Sequence, residues 1–231
     1  PVLIGLFQGN KKPFPVASYL EDFLNEYRLL KDHGLTFQDK SFGVAIKAFV
    51  CDAPARAFLK GTKYHSGFDS CERCIIKGET INRRVTMISP NPLPTRNDRD
   101  FHDMMYYGKH QVARSPLVDY DIECVMRFPL DYMHMICLGV VRRLLFFLRS
   151  GPRRCKLSSR QFQEISKNLE DLRGKLPSEF ARQPRSLSEL ERWKATEFRQ
   201  FVLYTGVIVL KDVVSKAIYQ HFLCLKVAVS I

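Results

Sequence analysis

Residues 42–61 read FGVAIKAFVCDAPARAFLKG, and this stretch decides the predicted fold. Its first part, Phe42 to Cys51, is almost wholly apolar and has the length of a strand buried on both faces of a sheet. Asp52 then precedes a short helical stretch with Pro54 in its first turn, where Asp is a frequent cap and Pro is well tolerated. The stretch therefore predicts a buried strand that leads directly into a helix.

The residues before this stretch follow the same order. Val2 to Phe7 is a short apolar run that is typical of another buried strand. From Val16 to His33, apolar residues recur at intervals of three and four, which predicts an amphipathic helix, and Gly34 supplies its stop. Strand, helix, strand and helix at this spacing predict an α/β layer within residues 1–62.

Residues 63–120 show no sustained periodicity, and an irregular stretch of this length needs something to order it. Cys71 and Cys74 have the Cys-x2-Cys spacing of a zinc knuckle, which predicts a structural zinc ion. The histidines that could complete a tetrahedral site are His65 or the later His102 or His110. The alternative is two unrelated free cysteines in a loop.

The second half of the chain, residues 121–231, is predicted to be helical. Helical periodicity runs from Pro129 to about Arg149, from about Ser159 to Leu172, from about Lys194 to Val209, and onward from about Lys211.

Three acidic positions could carry chemistry, and each has a structural alternative. Asp52 follows a predicted strand, where open α/β folds bind ligands, but it could equally cap the next helix. Asp131 and His134 share one helix face. They could ligate a metal, or the carboxylate could orient the imidazole, or Asp131 could simply suit a first helical turn. Glu197 lies near Trp193 among basic residues, which fits phosphate chemistry or an ordinary solvated helix.

The composition favours a basic protein with a polyanionic partner. The chain has 36 Lys and Arg against 24 Asp and Glu, which gives a net charge of +12. Neutralising phosphates with such residues releases counterions and drives binding to nucleic acid. The longest apolar run, Met133 to Leu148, is interrupted by Arg142 and Arg143 and falls short of a membrane span of about 20 residues. Seven Cys with a single closely spaced pair suit a reducing compartment, so we expect an intracellular, soluble protein.

Four stretches together resemble one protein family. They are FVCDAPARAF at residues 49–58, HSGFDSCERC at 65–74, PLDYMHMICLG at 129–139 and RWKATEFRQFVLYTG at 192–206. In order and spacing they are similar to the transposases of CACTA (En/Spm-type) elements and to related animal transposase-derived proteins. The similarity covers nearly the whole chain.

The resemblance implies a fold and a set of site residues. The fold would be an RNase H-like core, here a partial mixed sheet flanked by helices within residues 1–62. An irregular Cys/His region would follow at 63–120, and a helical insertion with C-terminal helices at 121–231. Asp52 matches the second Asp of the family's acidic triad, Asp131 and His134 match its Asp/Cys-x-x-His element, and Glu197 is the candidate for the final Glu. The first Asp would precede Pro1, so we expect a fragment that is inactive alone.

The implied function is cut-and-paste DNA transposition. Mg²⁺ or Mn²⁺ held by Asp52 and Glu197 would support cleavage and strand transfer at transposon ends and target DNA. No small-molecule substrate is expected, the location would be nuclear, and several copies could assemble on DNA. The alternative is a domesticated, non-catalytic module that binds DNA or other proteins. The candidate DNA contacts are Arg142, Arg143, Arg192, Lys194 and Arg199.

Overall fold

The computed structural model describes residues 3–230, which divide into two compact units, residues 3–130 and 131–230. In the first unit the elements are α1 (Val16–His33), β1 (Leu35–Phe37), β2 (Lys40–Phe42), α2 (Ala53–Lys60), β3 (Glu79–Ile81), β4 (Arg84–Thr86), α3 (Asp98–His102) and a 3₁₀ turn (Pro116–Tyr120). The fold is therefore mixed, with helices and two small antiparallel sheets.

In the first unit, α1 and α2 pack around the 3₁₀ turn Pro116–Tyr120. The buried apolar side chains of this core are Leu20, Leu24, Phe101, Tyr106, Leu117, Val118, Ile122, Cys124, Val125 and Phe128. Each contributes about 1.5–3 kcal/mol if its side chain is fully removed from water. Because residues far apart in sequence share this core, the described parts of the segments 1–62 and 63–120, separate in the sequence-based division, form one unit here together with residues 121–130.

The two strands predicted from apolar runs do not form in the described residues. Leu3 to Phe7 is irregular and exposed, with Leu6 84% accessible, and Val2 lies outside the described residues. Phe42 ends the short strand β2, and residues 43–51 are irregular. A strand needs a neighbour for its backbone N–H and C=O groups, and none runs beside either segment within residues 3–230.

Apolar side chains of residues 43–51 instead pack against the core of the first unit. The Phe49 ring stacks on Phe128 at a centroid distance of 4.9 Å, and its backbone N–H donates to the Arg127 carbonyl at 2.8 Å. Ile46 and Cys51 also pack against the core of this unit. Side-chain packing, and not pairing within a sheet, therefore holds this irregular segment against the core.

The strands that do form are two hairpins. β1 pairs with β2 and β3 with β4, both antiparallel. The two central residues of each turn, Gln38-Asp39 and Asn82-Arg83, all have positive φ, between 47° and 62°. This left-handed pair matches the twist of a two-residue hairpin, and Asn and Asp tolerate it well.

The second unit, residues 131–230, is helical, as the periodicity predicts. A π-helical stretch (Met133–Val141) continues into α4 (Arg142–Ser150), followed by α5 (Ser159–Asp171), a 3₁₀ turn (Leu187–Arg192), α6 (Ala195–Gln200), a second π-helical stretch (Phe201–Thr205), α7 (Gly206–Val209) and α8 (Lys216–Ser230). Ser158 and Gln161 form a capping box at the start of α5, which satisfies two backbone donors.

One core unites these helices. Its buried members include Cys137, Val141, Leu145, Leu148, Ile165, Leu169, Leu190, Trp193, Phe198, Phe201, Val202, Val209, Leu210 and Phe222. Across residues 3–230, no helix combines the length and the apolar character that crossing a membrane requires.

Candidate functional site

Asp131 and His134 form a close pair at the start of the second unit. Asp131 Oδ1 accepts from the backbone N–H groups of Met133 (2.9 Å) and His134 (3.2 Å), and His134 Nδ1 donates to Oδ2. Burial of Asp131 opposes ionisation, but the hydrogen bonds from the His134 side chain and backbone outweigh it and lower the pKa of Asp131. The carboxylate both begins the helix and orients the imidazole, so two of the alternatives hold together.

Next to this pair lies a cationic groove within the second unit. It has a volume of about 510 Å³ and is lined by Tyr132, Arg199, Leu203, Tyr204, Lys226, Val229 and Ser230. Burial raises the pKa of both the Tyr132 hydroxyl and the Cys137 thiol. Two cationic side chains in a groove beside an oriented His are able to receive an anionic ligand such as a phosphate.

Glu197, the candidate final Glu, is fully engaged inside the protein. Its carboxylate is 3% exposed and accepts from Arg185 at both oxygens, Nε to Oε1 at 2.6 Å and Nη2 to Oε2 at 2.8 Å. Oε2 also accepts from the backbone N–H of Lys194 at 2.7 Å, which caps α6. The hydrogen bond with Glu197 raises the pKa of Arg185. In this conformation Glu197 therefore neutralises Arg185 and caps the start of α6.

Asp52, the candidate second Asp, caps α2. Its Oδ1 accepts from the backbone N–H of Ala55 at 2.7 Å, and the side chain is otherwise exposed. Asp52 belongs to residues 3–130, whereas Asp131, His134 and Glu197 belong to residues 131–230.

The acidic residues do not fit a two-metal centre as they stand. Nowhere in residues 3–230 do three or more His, Cys, Asp or Glu side chains gather closely enough to hold a metal ion. Both oxygens of Glu197 are already hydrogen-bonded, and Asp131 is committed to His134 and two backbone donors. We therefore assign no step to Mg²⁺ or Mn²⁺ in this arrangement.

The predicted zinc knuckle contains its two thiols but no third ligand. Cys71 Sγ and Cys74 Sγ lie 3.1 Å apart, and both are free thiols. His110 is fully buried, its Nδ1 donates to the Asp69 carbonyl at 2.8 Å, and its Nε2 has no hydrogen-bond partner. Neither His110 nor His65 joins the thiols in a group of metal ligands among the described residues. The arrangement does not fit the tetrahedral zinc site that the spacing predicts.

Buried charges organise the first unit around this Cys pair. Glu72, between the two cysteines, forms an ion pair with Lys60, whose side chain is 1% exposed, and lies 3.9 Å from Arg56. Arg73 donates to the carbonyls of Val125 and Phe128. Buried polar groups of this kind help to order the irregular region. The sequence contains no signal for them, because the partners are up to 55 residues apart.

The candidate DNA contacts are exposed in the second unit. Arg142 and Arg143 lie on α4, Arg192 ends a 3₁₀ turn, Lys194 precedes α6 and Arg199 lies on it. Further exposed cations follow α4 and begin α5, namely Arg153, Arg154, Lys156 and Arg160.

Comparisons with protein-family models, with curated proteins and with solved structures gave no match for this chain.

Proposed function

We propose that the chain is part of the catalytic domain of a CACTA-type DNA transposase, or of a protein derived from one, and that residues 131–230 bind the phosphate backbone of DNA. The observation that carries the proposal is the charge of this unit. It has eighteen Lys and Arg against nine Asp and Glu, so most of the chain's net charge of +12 lies here.

The positive charge is concentrated in one segment of the unit. From Arg142 to Arg160 there are seven Arg and Lys and no Asp or Glu. Six of the seven are exposed, and the seventh, Arg149, is paired with Glu191 at 2.7 Å. We call these six residues the basic corner: Arg142, Arg143, Arg153, Arg154, Lys156 and Arg160.

Local packing orients part of the basic corner. The guanidinium of Arg142 lies over the Phe146 ring at 5.1 Å, and that of Arg143 over Phe147 at 5.3 Å. Arg presents a fork of donors that matches phosphate oxygens, and stacking on a ring reduces the entropy lost when it binds. A row of such side chains along a helix and the following turn suits a nucleic-acid backbone.

Within this proposal, catalysis is a property of the ancestral family and not of this polypeptide. What supports an RNase H-like origin is the resemblance itself, in which Asp52 matches the family's second Asp. The resemblance assigns the family's first Asp to no residue of this chain, and Glu197 is bonded to Arg185. We infer that this polypeptide binds DNA without cutting it. A nuclear location and assembly of several copies on DNA are what the resemblance adds.

The test is the salt dependence of binding to a DNA duplex, followed by fluorescence anisotropy. If the six residues of the basic corner each neutralise one phosphate, the slope of log K against log salt is about −5. Arg153→Glu with Arg154→Glu will reduce that slope by about 2 and weaken binding to unrelated sequences equally. The matched control is Arg83→Glu with Arg84→Glu, an exposed Arg pair in the first unit, which leaves the slope unchanged.

Two results would refute this proposal. Binding that is absent, or that does not depend on salt, would favour an adaptor for protein partners over a DNA-binding module. Mn²⁺-dependent nicking of plasmid DNA that Asp52→Asn abolishes would show that the chain is catalytic as it stands.

A further inference from the structure

The thiols of Cys71 and Cys74 lie close enough together to form a disulfide bond. Their sulfur atoms are 3.1 Å apart, about 1 Å more than the length of a disulfide bond. The backbone N–H of Cys74 donates to Cys71 Sγ at 3.3 Å, so the turn between them already points the second residue at the first. Both side chains are partly exposed and thus open to a small reagent.

The two thiols are unequal. The backbone N–H of Cys74 donates to Cys71 Sγ, and this hydrogen bond favours the thiolate form of Cys71. A thiolate is the nucleophile in disulfide exchange, so Cys71 is suited to attack first and Cys74 to follow.

The surrounding backbone holds the pair in place. Arg96 Nε donates to the Cys71 carbonyl at 3.0 Å, and the Arg96 N–H donates to the Arg73 carbonyl at 2.8 Å. Between the cysteines, Glu72 is fixed by Lys60, and Arg73 by two carbonyls. Because these contacts fix the turn in the reduced form, closing the bond requires little loss of chain entropy.

We propose that Cys71 and Cys74 are a redox-active dithiol that closes to an intramolecular disulfide on reaction with glutathione disulfide. Cys71 thiolate attacks one sulfur of glutathione disulfide and releases one glutathione thiolate, which leaves a mixed disulfide on Cys71. Cys74 gives its proton to solvent and attacks Cys71 Sγ, which releases the second glutathione. The two protein thiols are oxidised to one disulfide, and glutathione disulfide is reduced to two glutathione molecules. This modification is independent of DNA binding.

The sequence offers a direct readout. Trypsin cleaves after Lys63, Arg73 and Lys77, so it separates the peptides 64–73 and 74–77, each with one cysteine of the pair. The experiment incubates the full chain in mixtures of glutathione and glutathione disulfide, blocks free thiols with an alkylating reagent, digests and records mass spectra. We expect the two peptides to be joined, in a fraction that rises with the ratio of glutathione disulfide to the square of glutathione. The five other cysteines should stay alkylated.

Single variants separate attacking from resolving thiol. Cys74→Ser will accumulate a glutathione adduct on Cys71, and Cys71→Ser will form an adduct on Cys74 more slowly, by on the order of tenfold or more. Cys224→Ser, which removes an exposed thiol elsewhere, is the control and leaves the joined peptides unchanged. Circular dichroism of each variant shows that it is folded.

Two outcomes would overturn the proposal. One is a pair that stays alkylated at every glutathione ratio in folded protein. The other is one zinc ion per chain that protects both thiols from glutathione disulfide, since that would make the pair a metal site completed by ligands not gathered in this structure.

Discussion

Glu197→Gln will destabilise residues 131–230, because the carboxylate neutralises Arg185 inside the protein. The substitution keeps the size of the side chain and an oxygen that can still accept from the Lys194 N–H, but it removes the negative charge. Leaving one member of a buried ion pair without its partner costs about 3–5 kcal/mol. Arg185 is 24% exposed and also contacts Glu189 at 3.3 Å, so part of its charge stays compensated. We therefore expect a somewhat smaller loss, of about 2–4 kcal/mol.

The assay is urea unfolding followed by the fluorescence of Trp193. It is the only Trp of the chain, it is 6% exposed, and its ring lies 5.5 Å from Phe198 on α6. Its emission therefore reports on the unit that contains Glu197. The free energy of unfolding comes from linear extrapolation, and an unchanged slope shows that only stability has changed.

A matched control lies six residues earlier. Glu191 also pairs with an arginine, Arg149, at 2.7 Å, but its side chain is 70% exposed. Solvent screens an exposed pair of this kind, so Glu191→Gln should shift the curve little. The reasoning would be refuted if both variants lost equally little. It would also fail if Mn²⁺ stabilised the wild type but not Glu197→Gln, because Glu197 would then be a metal ligand.

Other predictions concern individual groups. Asp52→Ala removes the cap of α2 and should cost about 0.5–2 kcal/mol, whereas Asp52→Asn should cost less, both measured by thermal unfolding. Asp131 has a pKa below its ordinary value of 3.8, so its contribution to stability is present above that value and lost as pH falls through the folded-state pKa. Asp131→Asn should therefore flatten the dependence of stability on pH below 3.8, and a variant curve parallel to the wild type would contradict this. Burial lowers the pKa of His110 from 6.5 to about 4, so the unfolded chain takes up a proton before the folded one does. Stability should fall as pH drops from 6.5 towards 4, and urea unfolding of His110→Asn should show a weaker fall.

The sequence predicts the second unit well because its helices carry their own signals. The predicted helix from Ser159 to Leu172 matches α5 within one residue, since Ser158 caps it and its apolar residues repeat at helical spacing. The stretch before α4 was less regular than its pattern indicates. Residues 133–141 are π-helical, so the side chains turn out of phase with a period of 3.6, and the apolar side chains of Met133 and Val140 are exposed.

The predicted strands fail for a different reason. A short apolar run is compatible with a strand, a buried helix or an extended segment fixed by side chains, and only the neighbours decide. The Phe49 ring stacks on Phe128, 79 residues away in sequence, and no pattern in the residues around Phe49 indicates this contact. The candidate site was predictable in part for the same reason. The Asp131 to His134 pair and the Asp52 cap depend on spacing within one helical turn. The pairing of Glu197 with Arg185, and the burial of His110 Nε2 without a hydrogen-bond partner, depend on tertiary structure.

The buried pair of Lys60 and Glu72 has a consequence for how this protein can change over evolutionary time. Replacing either residue alone strands a charge in the interior, and Arg56 is the one further cation near enough to share Glu72 among the ion pairs of the described residues. Replacing Lys60 and Glu72 together by apolar residues removes this pair but leaves Arg56, which is also buried, without the carboxylate that lies 3.9 Å from it. Each substitution among Lys60, Glu72 and Arg56 therefore leaves a buried charge with less compensation than before. Selection that acts on one substitution at a time will keep these charges, whether or not they contribute net stability, so the three residues should be retained together in related chains.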